Sequence, residues 1–253
     1  MAVVHKLRGD GAVQQCGGTI INKRWVLTAA HCAVTYPYPR RFLVVFGIIN
    51  KSGIIYDTFK GHGVSMITDE AFIHPEYELG ANDIALLYMP QDIPFSGTIQ
   101  PVQYYYNQRD PFIGKNALVV GWGTDGMTSQ GSTKLKYTTL PIISTNACQQ
   151  YWHIDERHVS TAPGLGGGAC QGDPGGPLIV VDENGVDHQV GIVTYGKVLC
   201  PSNAPGVFTE VSRYSDWIRR VIEIVHNLSI MPFFMRKKID WGNLVGITKK
   251  MVA

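Results

Sequence analysis

Trp25-Val26-Leu27-Thr28-Ala29-Ala30-His31-Cys32 is a short apolar run that closes on a histidine beside a cysteine. By itself it reads as a strand leading to a core histidine. Around it, from Cys16 to about Val211, one pattern repeats: short apolar runs cut by Gly, Pro, Asn and Asp. Phe42-Leu43-Val44-Val45-Phe46, Ala117-Leu118-Val119-Val120, Pro177-Leu178-Ile179-Val180-Val181 and Val190-Gly191-Ile192-Val193 are of strand length. Asp182-Glu183-Asn184-Gly185-Val186-Asp187 supplies the turn that a hairpin needs between the last two. The pattern predicts an all-β chain. One helix is expected near the end, where Trp217, Ile218, Val221, Ile222 and Val225 fall at helical spacing within Ser215–Val225. Packing on the body explains that stripe better than a membrane or partner contact.

The chain has 253 residues, 45% hydrophobic and 17% charged, enough to bury a substantial core and unlike a disordered chain. Net charge is +2, and no basic stripe stands out before the C-terminal stretch, which argues against nucleic acid as a partner. No run of about 18 apolar residues exists, so no membrane span is expected. Met1-Ala2-Val3-Val4-His5-Lys6 lacks the charged and then apolar pattern of a signal peptide. Gly164-Leu165-Gly166-Gly167-Gly168 lacks the Lys-Ser/Thr of a phosphate loop. No cofactor and no metal site are expected, and His153 and His158 read as surface or loop histidines.

Two further segments follow the His31 run in chain order: Asn82-Asp83-Ile84-Ala85-Leu86-Leu87 and Gly172-Asp173-Pro174-Gly175-Gly176-Pro177-Leu178. Cys16-Gly17-Gly18 precedes it. Asp83 alone reads as a turn residue. Together, in this order and spacing, the segments resemble the trypsin and chymotrypsin family of serine proteases. The resemblance runs from about Cys16 to the helix near Val225, and Cys148-Gln149-Gln150-Tyr151-Trp152 through Cys170-Gln171 looks most like insect chymotrypsin-like members. It implies two six-stranded antiparallel β-barrels with a site between them and a C-terminal helix. It also implies a peptidase domain over residues 1–228 and a tail over 229–253 outside the family pattern. His31 matches the general base and Asp83 the carboxylate that orients it. A base must reach the nucleophile, and a buried carboxylate must fix the base's tautomer.

The third segment departs from the family. Members carry serine where this chain has Pro174. Proline has no hydroxyl and no backbone N–H. In the family that N–H is one of two oxyanion donors, the other matching Gly172. Loss of a triad nucleophile costs roughly 10⁶-fold in rate. Loss of an oxyanion donor costs about 10²–10³-fold more, if the effects multiply. Active members also begin with an Ile-Val-Gly-Gly-like sequence whose ammonium pairs with the aspartate matching Asp173. Only fifteen residues precede Cys16, and none forms that motif. The expectation is a non-catalytic homologue that binds proteins or peptides through a retained cleft. The alternative is an active endopeptidase cleaving after large apolar residues, with Pro174 and the short start as sequence errors.

Five cysteines, Cys16, Cys32, Cys148, Cys170 and Cys200, leave at least one thiol unpaired. The count alone allows five reduced thiols in a cytosolic chain. The resemblance instead implies a secreted, extracellular protein with disulfides Cys16–Cys32 and Cys170–Cys200. Cys148 is then the odd thiol, because its family partner position falls on Ser160. The resemblance puts Gly168 at the base of the specificity pocket and Gly196 and Gly206 on its walls. Thr194-Tyr195-Gly196 would be the edge that binds substrate backbone. Asn50-Lys51-Ser52 and Asn227-Leu228-Ser229 are glycosylation sequons, meaningful only in a secreted chain.

Overall fold

The computed structural model describes residues 1–35, 40–106, 112–123, 131–163, 174–195 and 204–230. The N-terminal half holds β1 (Ala2–Leu7), β2 (Val13–Ile20), β3 (Trp25–Thr28) and β4 (Phe42–Phe46). A small hairpin follows, β5 (Ile54–Ile55) and β6 (Thr58–Phe59), and then β7 (Val64–Thr68), β8 (Ala71–Ile73) and β9 (Ala85–Tyr88). Apart from the hairpin, they form one sheet in the order β7-β4-β1-β2-β3-β9-β8. Only Asp69 and Glu70 separate β7, paired to β4, from β8, paired to β9. That bent run carries the sheet round from one side to the other and curls it into a barrel-like shape. Thr68 Oγ1 donates to Tyr88 O at 2.6 Å, and Tyr88 N–H to Glu70 O at 3.0 Å, which pins the bend.

β4 shows why this sheet needs unbroken apolar strands. Side chains alternate across a strand. Phe42, Val44 and Phe46 enter one buried cluster with Val26, Leu27 and Leu86, whereas Leu43 and Val45 enter another with Val3, Leu7 and Trp122. Both faces are covered, so all five residues are buried.

The C-terminal half holds β10 (Gln103–Tyr104), β11 (Asn116–Gly121), β12 (Lys136–Ile143), β13 (His158–Thr161), β14 (Pro177–Val181), β15 (Asp187–Tyr195) and β16 (Gly206–Glu210). β16 pairs with both β13 and β15, and β14 with both β15 and β11, so six antiparallel strands close a barrel. β10 adds to β15 in parallel. The expected turn between β14 and β15 forms as read: Asp182 Oδ1 accepts from Asn184 N–H and Val186 N–H, both at 2.9 Å, and Gly185 takes φ +77°. Only glycine adopts that conformation without strain.

Three α-helices, α1 (Ala30–Ala33), α2 (Thr145–Cys148) and α3 (Ser215–Ile230), and one 3-10 turn, Val211–Tyr214, complete the described residues. α3 runs five residues beyond the expected Val225, because Leu228 continues the apolar spacing and is buried. Ile218, Val221 and Val225 pack into the core of the N-terminal sheet. Each such side chain contributes about 1.5–3 kcal/mol by leaving water. α3 therefore clamps the N-terminal half. Two barrel-like sheets and a C-terminal helix match the architecture expected from the sequence. No helix among the described residues is long and apolar enough to cross a membrane.

Candidate active site

β3 ends at Thr28, and the chain turns through Ala29 into the single turn of α1. Ala29 and Ala30 are fully buried and small, so the turn sits tight against the body and leaves His31 at its edge. The His31 side chain is 25% exposed and that of Asp83 only 7%. His31 Nδ1 lies 2.7 Å from Asp83 Oδ2, and His31 N–H donates to Asp83 Oδ1 at 2.9 Å. Thr194 Oγ1 donates to the same Oδ2. Burial alone would raise the Asp83 pKa. The His31 ring, its charge when protonated, the Thr194 hydroxyl and the His31 N–H outweigh burial and hold the carboxyl below its ordinary value. An ionised carboxylate only accepts, so a neutral His31 carries its proton on Nδ1 and keeps the Nε2 lone pair. That is the tautomer a general base requires.

The Asp83 segment belongs to the N-terminal half but is held largely from the other side. Thr209 Oγ1 on β16 donates to Asp83 O at 3.1 Å, and Tyr214 O–H to Asn82 Oδ1 at 3.0 Å. Asn82 takes φ +53°, and its Nδ2 donates to Glu76 O at 2.7 Å. Asparagine tolerates this left-handed conformation better than most residues. Sequence reasoning missed Asn82, Thr209 and Tyr214 as supports of Asp83. Thr209 and Tyr214 lie more than a hundred residues from their partners, and no local pattern marks them. His158, expected at the surface, is instead 5% exposed, with Nε2 3.2 Å from Gly80 O and Nδ1 3.2 Å from Asp155 Oδ1. It is a third tie between the C-terminal barrel and the Asp83 loop. Arg157 donates to Asp155 through its guanidinium and lowers that carboxyl to about 2.

Pro174 lies beside the His31 turn. Its carbonyl accepts from Gly17 N–H at 2.8 Å and stands 3.4 Å from Cys32 Sγ. His31 Nε2 is 3.5 Å from the same sulfur. Cys16 and Cys32 form a disulfide, so that sulfur has no proton and both approaches are contacts rather than S–H hydrogen bonds. The Cys16, His31 and Cys32 ligand atoms lie within 4.8 Å of one another, but the disulfide leaves no thiolate to offer a metal. Gly175 follows at φ +85°, where a Cβ would lie 2.3 Å from Thr28 Oγ1 and 2.7 Å from Gly17 O. Its N–H donates to Val193 O at 2.8 Å. Residues 174 and 175 are thus wedged between β2, β15 and the end of β3.

The structure therefore gathers His31, Asp83, Thr194, Pro174, Cys16 and Cys32 at one place. Tyr195 pairs with Val207 on β16, and Gly206 pairs with Thr161. Gly168, Gly172, Asp173, Gly196, Cys170 and Cys200 fall outside the described residues, as do residues 231–253 of the tail. Cys148 is a free, buried thiol. Burial raises its pKa, against the pull of the neighbouring Ser160 hydroxyl, which favours the thiolate without making a hydrogen bond of good geometry.

A family model described as Trypsin matches residues 2–218. The chain belongs to the trypsin family. Among trypsin-family proteins it is 31% identical over 227 residues to CLIP domain-containing serine protease B15 of Anopheles gambiae, covering 83% of this chain and 62% of that protein. It is 31% identical over 214 residues to venom serine protease Bi-VSP of Bombus ignitus, covering 80% of this chain and 58% of that protein. The chain thus spans less than two thirds of either relative's length. Its fold is similar to that of HL collagenase, with a TM-score of 0.73, 26% identity, and coverage of 88% of this chain and 92% of that one. The trypsin-family assignment agrees with the resemblance carried by the His31 and Asp83 segments.

Proposed function

We propose that this trypsin-family chain is a non-catalytic serine protease homologue that binds protein or peptide segments in the cleft beside His31. The observation that carries the reading is the residue at 174. By the family pattern Pro174 stands at the nucleophile position, and it adjoins the disulfide-bonded turn that holds His31. A proline there offers no hydroxyl to acylate and no N–H for an oxyanion. The rest of the base machinery supports a cleft that was once catalytic: His31 as base, Asp83 as its orienting carboxylate, Thr194 on the carboxylate. Gly172 would be the remaining oxyanion donor. Gly168, Gly196 and Gly206 would line a pocket for a large apolar side chain, with Thr194–Gly196 as the edge that takes an extended peptide. The peptidase domain is assigned to 1–228 and the tail to 229–253. An extracellular location is part of this reading, supported by the Cys16–Cys32 disulfide.

The intact His31–Asp83 pair favours one second reading, an active endopeptidase in whose true sequence residue 174 is serine. Treatment with a serine-directed phosphonate separates the two. The expected result is no covalent adduct on the native protein. Stoichiometric labelling in the cleft would sink the non-catalytic reading.

A further inference from the structure

Of the two sequons, Asn50-Lys51-Ser52 lies in the irregular stretch between β4 and the β5–β6 hairpin, outside any strand or helix. Asn50 and Ser52 are exposed, and Ser52 N–H donates to Asn50 Oδ1 at 2.9 Å. That bond occupies the amide oxygen and leaves Nδ2, which makes no hydrogen bond among the described residues, on an exposed side chain. The backbone around it is firmly held: Lys51 N–H donates to Thr133 O at 2.9 Å, and Asn50 bridges Lys134. Asn50 and Ser52 also line the mouth of an open cavity of about 690 Å³ with Phe59 and Leu135, so there is room for a sugar ring against the protein. None of these residues belongs to the His31–Asp83 site.

The second sequon is placed differently. Asn227 sits within α3, its neighbour Leu228 is packed in the core, and Ser229 Oγ donates back to His226 O at 2.7 Å. Asn227 and Ser229 are themselves exposed, but the hydroxyl that completes the sequon is tied back to the helix, and the helical backbone must unwind before the sequon can extend.

From this contrast we propose that Asn50 is the N-glycosylated residue of this protein. The inference rests on the extracellular reading above, since the donor, a lipid pyrophosphate-linked oligosaccharide, is met only on the secretory route. In the transfer, Nδ2 of Asn50 forms a bond to the anomeric carbon of the first sugar. The bond from that carbon to the pyrophosphate oxygen breaks, the lipid pyrophosphate leaves with the electron pair, and the amide gives up one proton. No oxidant or reductant takes part.

The test is to secrete the full chain from insect cells behind a removable leader and release N-glycans with a glycan-cleaving amidase in ¹⁸O water. Peptide mass spectrometry then locates the labelled aspartate. The expected result is label at Asn50, with one glycan's mobility shift lost in both Asn50→Gln and Ser52→Ala and retained in Asn227→Gln. Ser52→Thr, which keeps the sequon, should keep the shift. An unglycosylated secreted chain, or a shift lost only with Asn227→Gln, would overturn the proposal. Label at Asn50 on the secreted chain, with none on protein taken from its natural source, would show a competent site but overturn the proposal for this protein, through the extracellular reading on which it rests.

Discussion

Asp83 concentrates the electrostatics of the cleft in one buried carboxylate. Its folded pKa lies below its unfolded one, so the unfolded chain binds the proton first on acidification. The stability it contributes is fully present above about pH 4 and is lost as pH falls through the folded value. Asp83→Asn should remove that part of the acid limb in urea titrations run from pH 7 to 3. At neutral pH it should also cost about 1–3 kcal/mol, because the Thr194 hydroxyl and the His31 N–H lose a charged acceptor. An unchanged acid limb would show that the carboxylate is not ionised in the folded state. Gly175→Ala should destabilise by more than about 1 kcal/mol by the same measurement, since both its φ of +85° and the 2.3 Å approach to Thr28 Oγ1 forbid a Cβ. His31 and Asp83 were legible as a pair because each lies in a short segment that matches the family pattern. Thr209 and Tyr214 were not, since a single threonine or tyrosine on the facing barrel says nothing until the chain has closed.

At the scale of elements, the sequence reads well wherever one stretch carries its own periodicity and poorly where two stretches must meet. β4, the β14–β15 hairpin and α3 followed from apolar spacing and turn chemistry. The end of α3 did not, because the burial of Leu228 is a property of the folded body that the apolar spacing up to Val225 does not carry. His158 was misread for a similar reason, as it is buried in β13 and its ring meets Gly80 O, seventy-eight residues away. The cysteines show both cases. Cys16–Cys32 forms as the family pattern implied, while Cys148 faces Ser160 where a bridge from α2 to β13 would stand. Ser160→Cys should close that bridge with Cys148 under oxidising conditions. It should remove one reagent-accessible thiol on denaturation and stabilise the C-terminal barrel by about 2–4 kcal/mol. A variant that keeps both thiols free would show that the two positions no longer meet in bonding geometry.

At the scale of the whole molecule, the candidate site is a seam. His31 and Asp83 belong to the N-terminal half, Thr194, Thr209, Tyr214 and Pro174 to the C-terminal half, and α3 returns to cover the first sheet. Neither half completes the hydrogen bonding of Asp83 alone, so the two should unfold together. Tyr214→Phe, which deletes one bond across the seam, should lower stability by about 0.5–1.5 kcal/mol while near-UV and far-UV dichroism still melt in one transition. Two separated transitions would mean that the halves are stable units and the seam is weak. The bonds that fix the Asn82–Asp83 segment beside His31 thus also hold the two halves together.

Turnover is the most direct test of the central claim. The protein purified from its natural source is incubated with a peptide bearing a large apolar residue before the scissile bond, and the fragment spanning residue 174 is sequenced by mass spectrometry. Proline at 174, binding of the peptide and no cleavage is the expected result. Serine at 174 with steady cleavage would contradict it and make this chain a working member of its family.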